Sequence, residues 1–187
     1  MKKIKQKLLT ITVEIILSLV FMGWHTNVSA VDLHGQTVVL EASEKLKISK
    51  CCQDVGVSKF VVIFDKIDSA WTATGLGAAD DFTYSGTYVS NEKGTKFLIE
   101  FDASSKQGFE DTLEDWAGEL VEEVVTITSS QYSFSMKVNS KFQAKMVGKV
   151  KLKGTTFESS GSGTYKIIAK GNVLNAPELC ALINQDE

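Results

Sequence analysis

Apolar residues recur at every second position through most of the chain beyond residue 30. The pattern is cleanest over residues 141–153. There Phe142, Ala144, Met146, Gly148, Val150 and Leu152 share one face, and Lys141, Gln143, Lys145, Lys149, Lys151 and Lys153 share the other, with Val147 the exception. A period of two is the side-chain repeat of a strand with one buried face. The same alternation groups Phe60, Val62 and Phe64; Phe82, Tyr84, Gly86 and Tyr88; Phe97, Ile99 and Phe101; and Tyr132, Phe134, Met136 and Val138. Polar turns over residues 90–94 and 138–141 join successive strands as hairpins. A meander of about eight such strands hides its edges only by curling closed. The expected fold is therefore mainly β, an antiparallel meander closed into a barrel.

Two segments break the alternation. Phe109, Leu113, Trp116, Leu120 and Val124 follow helical spacing, with Glu110, Asp111, Glu114, Asp115, Glu119, Glu122 and Glu123 on the expected outer face. This predicts one inserted helix whose acids form a solvated surface rather than a calcium loop, which would need alternating oxygen ligands in a turn. Near the end, Asn175-Ala176-Pro177-Glu178 has the order of a helix start, and Leu179, Leu182 and Ile183 would pack that short C-terminal helix onto the barrel. A short repeat also stands out. Ser85-Gly86-Thr87-Tyr88 with Lys93-Gly94 recurs as Ser162-Gly163-Thr164-Tyr165 with Lys170-Gly171. Glycine at that step suits a bend or a close approach by another backbone.

The first 30 residues differ from the rest. Lys2, Lys3, Lys5 and Lys7 precede an apolar run over residues 8–24, followed by polar residues and Val28-Ser29-Ala30. That order is a signal peptide's, and it predicts cleavage after Ala30, export to the periplasm or medium, and a single domain over residues 31–187. The run is too short to span a bilayer and contains Glu14, which argues against an uncleaved anchor. Removal of four Lys and Glu14 from a chain of 20 Lys and 23 acids leaves 16 basic against 22 acidic residues, a net charge of −6. With no Arg and an acidic balance, nucleic acid is excluded as an expected partner. Export would expose Cys51, Cys52 and Cys180 to an oxidising compartment, and strain between neighbours favours a bridge from Cys180 to Cys51 or Cys52.

Candidate chemistry is sparse. His34 is the only histidine beyond the leader, and an expected frayed N-terminus is a poor mount for an oriented imidazole. One His and three Cys do not make a convincing zinc set, so neither metal nor cofactor is expected. Asp65 with Asp68, and Asp80 with Asp81, read as turn acids. Thr74-Gly75-Leu76-Gly77-Ala78 lacks the later Gly and Lys of a phosphate loop and reads as a connection. Trp71 and Trp116 suit packing better than a ligand mouth. The lysines of residues 141–153 keep a strand face wet and discourage edge pairing, the alternative being an anionic surface. No enzyme is expected from this inventory.

Asp32-Leu33-His34-Gly35-Gln36-Thr37, followed by hairpins of the type Asp81-Phe82-Thr83-Tyr84-Ser85-Gly86-Thr87-Tyr88, resembles the lipocalin-like, or calycin, small β-barrels, including exported bacterial members. Thr37 stands where the lipocalin first motif has Trp, and the partner Arg of that motif has no counterpart. The resemblance implies an antiparallel barrel with an apolar interior able to hold a hydrophobic ligand. The inward faces nominate Phe60, Phe64, Tyr84, Phe97, Phe101, Phe134, Met136 and Met146 as its lining. The leading expectation is an exported, non-enzymatic barrel that binds a small hydrophobic or amphipathic molecule. Its rival is a structural or protein-interaction component of the cell envelope with a solid core, its protein partner unknown. An interior void of about 300 Å³ or more would favour the first.

Overall fold

A computed structural model describes residues 31–77, 82–155 and 160–175. Its strands are β1 (Thr37–Ile48), β2 (Gln53–Phe64), β3 (Ala70–Gly75), β4 (Thr83–Ser90), β5 (Lys96–Phe101), β6 (Thr126–Val138), β7 (Gln143–Thr155) and β8 (Ser160–Leu174). One helix, α1 (Ala103–Val121), lies between β5 and β6. Every strand pairs antiparallel with the next, and β8 returns to pair with β1, so the sheet closes in chain order. Closure pairs every strand on both sides, although β2 meets β3 only from Phe60 onward and β6 meets β5 only from Phe134 onward. The fold class expected from the alternation, eight strands and an inserted helix, is the one observed. The leader, the Asp80-Asp81 pair, Cys180 and the helix expected after Asn175 lie outside the described residues.

Alternation places the core. Leu40, Leu46, Phe60, Phe64, Phe97, Phe134, Met136, Val150, Tyr165 and Ile167 are buried inside the barrel, while Lys145, Lys149, Lys151 and Lys153 stand outside. Glycine of the repeated motif does what a close approach demands: a side chain at Gly86 would collide with the Glu100 carbonyl of the paired strand. Asp65 is the turn acid it was expected to be, since its carboxylate accepts the Ile67 and Asp68 amides at 2.7 and 3.3 Å. Asn91 organises the β4–β5 turn similarly, accepting from Thr95 and Lys96.

Four expectations are corrected. First, α1 begins at Ala103, ahead of its apolar periodicity, because Asp102 caps it by accepting the Ser105 amide at 2.8 Å. Its buried stripe is Ser105, Phe109, Leu113 and Ala117, and the helix ends where Glu122 turns left-handed at φ 55°, before Val124. Glu110 and Glu114 do not sit on the solvated face: Glu110 accepts from the Ser130 and Tyr132 hydroxyls, and Glu114 takes the Ile127 amide at 2.5 Å.

Second, Phe142 is not an inward residue. It occupies the β6–β7 turn at φ 58° and is exposed, so the inner row of β7 starts at Ala144. Third, the N-terminal segment is not frayed. Leu33 is buried at the end of the barrel opposite α1, the Gly35 amide donates to the Phe64 carbonyl at 2.9 Å, and the His34 ring lies 2.8 Å from Asp32 and 3.2 Å from the Tyr88 hydroxyl. Fourth, Cys51 bonds to Cys52, not to Cys180. The tight β1–β2 turn, with Lys50 at φ 64° and the Ile48 amide donating to the Cys52 carbonyl, turns the two neighbouring thiols toward each other.

Candidate ligand cavity

The barrel interior has two unlike halves. At the end carrying Leu33, the side chains of Val38, Phe64, Tyr88, Phe97, Met136 and Val138 fill the space, and each is almost fully buried. Phe64 and Tyr88 meet edge to face with ring centroids 5.0 Å apart, which leaves no room between them. Three of the eight residues nominated from sequence, Phe64, Phe97 and Met136, belong to this solid half.

The other five, Phe60, Tyr84, Phe101, Phe134 and Met146, surround a void of about 100 Å³ beneath α1. That volume falls short of the ~300–1,000 Å³ of ordinary small-molecule sites. Its walls are almost wholly apolar. Sequence reasoning missed several of its residues: Trp71 and Ala73 from β3, Ile167 and Tyr165 from β8, and Phe109 from α1. Phe109 is the stopper. Its ring stacks on Phe101 at 5.5 Å and meets Tyr84 and Tyr165 edge to face at 5.6 and 5.3 Å. Trp71, read from sequence as a packing residue, is buried and shares its indole N–H between the Thr87 and Glu100 carbonyls, each at 3.1 Å.

One carboxylate breaks the apolar lining. Glu44 lies on the inner face of β1 between Ala42 and Leu46 and takes the Ser58 hydroxyl on one oxygen and the Tyr165 hydroxyl, at 2.9 Å, on the other. Burial, with the Glu44 charge beside it, holds the Tyr165 hydroxyl well above the usual tyrosine range. A hydroxyl so placed stays a donor at any physiological pH, and the pair fixes the one polar point of the cavity.

Besides the Phe109 ring contacts, the cover over this end is held by polar contacts. The Trp116 indole donates to Asp54 at 2.9 Å, and Tyr84 and Thr112 exchange a hydroxyl contact at 3.2 Å. The buried apolar anchors of α1 are Phe109, Leu113 and Ala117. An element with few buried apolar contacts opens at lower cost than the sheet beneath it. Among the described residues no cluster of His, Cys, Asp and Glu is arranged to hold a metal, and no helix is long and apolar enough to cross a membrane.

No family model matches the sequence, and no curated protein is similar to it at a meaningful level. A crystal structure of a LolA superfamily protein from Nitrosomonas europaea overlaps 81% of this chain and 92% of its own, at 6% identity and a TM-score of 0.24. An overlap that loose establishes no kinship.

Proposed function

We propose that this chain is an exported, non-enzymatic carrier whose barrel takes up a small hydrophobic or amphipathic molecule beneath α1. The observation that carries the reading is the place of the void rather than its size, which at about 100 Å³ is below that of a ligand site: the interior is solid at one end and open at the other, directly under the Phe109 ring of α1. A guest larger than a few heavy atoms needs Phe109 to leave with α1, and the hinges are the residues flanking the helix, Asp102 and Glu122. Glu44 then sets the polarity of the guest. Its oxygens accept hydrogen bonds, so a hydroxyl or ammonium end group fits where a carboxylate would be repelled.

Native mass spectrometry of protein purified without detergent tests this. The expected result is a population carrying one extra small molecule, or a bare protein that takes up one equivalent of decanol or decylamine in preference to decanoate. A bare mass that accepts none of the three contradicts the carrier.

A further inference from the structure

The outer face of β7 and β8 carries a set of cross-strand pairs that the barrel does not require. The register sets Lys145 opposite Lys170, Val147 opposite Ile168, and Lys149 opposite Lys166. The outer two rows continue onto neighbouring strands, where Lys137 faces Lys145, Lys96 faces Lys137, and Lys45 faces Lys166. Like charges directly opposite one another destabilise a sheet. Glu41, opposite Lys170 on one side and Lys59 on the other, is the acid that enters these rows, one carboxylate against several ammonium groups. Val147 and Ile168, between the lysine rows, are 43% and 49% exposed. The chain as a whole has a net charge of −3, so the lysine density here is not a by-product of composition.

We propose that this face docks the protein on an anionic lipid bilayer, independently of what the interior holds. A convex barrel touches a flat surface along a narrow strip, and the four lysines of β7 and β8 that flank the apolar pair fit within one. The ammonium groups would reach lipid phosphates while Val147 and Ile168 enter the headgroup boundary. Lysine suits that partner. It is a flexible point charge that follows mobile phosphodiesters, whereas recognition of a fixed acidic protein surface gains from the rigid Arg fork, and this chain has no Arg. The apolar pair also sets a bilayer apart from a soluble polyanion, which offers nothing for Val147 and Ile168 to bury against.

Vesicle co-sedimentation tests the proposal. Binding is expected to vesicles of phosphatidylcholine mixed with phosphatidylglycerol and not to phosphatidylcholine alone, and to fall as salt is raised. Reversing Lys145, Lys149, Lys166 and Lys170 to Glu should lower affinity about tenfold or more. Reversing Lys66 and Lys93, exposed elsewhere, should leave it unchanged. Val147→Ser with Ile168→Ser should weaken binding several-fold while keeping its salt dependence. If the reversed protein loses its far-ultraviolet β signal, the same four lysines changed to Gln replace it, with the same expected direction. Equal binding to both vesicle types, binding that survives the four substitutions, or capture of heparin without capture of vesicles would overturn it.

Discussion

Tyr165 on β8 and Glu44 on β1 form a hydrogen bond of 2.9 Å between neighbouring strands on the inner wall of the barrel, and Ser58 on β2 occupies the carboxylate's other oxygen. Three strands thus meet at one polar point within an apolar wall. Tyr165→Phe removes one donor and leaves a carboxylate oxygen facing rings. The expected cost is about 1–3 kcal/mol of stability, read by urea denaturation, and it should shrink when Glu44→Leu is added. Equal costs with and without Glu44 would contradict the pairing.

All four tyrosines of the chain, Tyr84, Tyr88, Tyr132 and Tyr165, have hydroxyl pKa values raised, and burial is the largest cause for each. For Tyr132 and Tyr165 the hydrogen-bonded carboxylates Glu110 and Glu44 add to it. A proton held more tightly in the folded state stabilises that state below the unfolded pKa of about 10, and the benefit is lost as pH rises above it. Alkaline titration should therefore show little phenolate absorbance until the β signal collapses, and then ionisation together with unfolding. Stepwise ionisation of an intact barrel would contradict this.

Asp102 carries the opposite sign. The Ser105 amide first, then the Ser85 hydroxyl, hold its carboxyl down at about 2. A depressed pKa stabilises the fold above the unfolded value of 3.8 and is lost as pH falls from there through about 2. Asp102→Ala should lower the melting temperature at neutral pH, and the gap from wild type should narrow across that acid window. Asp102→Asn, which keeps a capping oxygen, should lose less. A gap independent of pH would place the effect elsewhere.

Gly148 is the floor on which Phe134 rests. A Cβ there would collide with the Phe134 ring and come within 2.6 Å of Ile167. Gly148→Ala should push Phe134 into the void and weaken uptake of decanol, at an overpacking cost of about 1–3 kcal/mol. Phe109→Ala should do the reverse, destabilising by ~3–5 kcal/mol while strengthening uptake. Met136→Ala, in the solid half, should destabilise by ~2–5 kcal/mol with uptake unchanged. Calorimetry and native mass spectrometry check each pair of effects.

The barrel was legible because a strand with lysines on one side and apolar residues on the other admits one orientation, as β7 does from Ala144 onward. What escaped has local causes. Glu44 lies on the inner face of β1, and a lone acid within an apolar alternation reads as an outward residue; its position two residues from Ala42 and Leu46 was the available signal. The first turn of α1 has no apolar periodicity, and only Asp102 ahead of Ser104 and Ser105 marked its start. Glu110 and Glu114 looked like surface because helical spacing does not reveal that a barrel mouth offers hydroxyls and an amide. The division of the interior into a solid and an open half is set by which rings meet across the barrel, and no single strand's pattern records that.

The most direct test of the carrier is fluorescence titration with an environment-sensitive apolar dye, comparing the wild type with Ala73→Met, which fills the void from its wall. Saturation at one equivalent by the wild type, with loss of the signal in a folded Ala73→Met protein, is the predicted result. Absence of saturation, or identical curves for the two proteins, would contradict a binding cavity beneath α1.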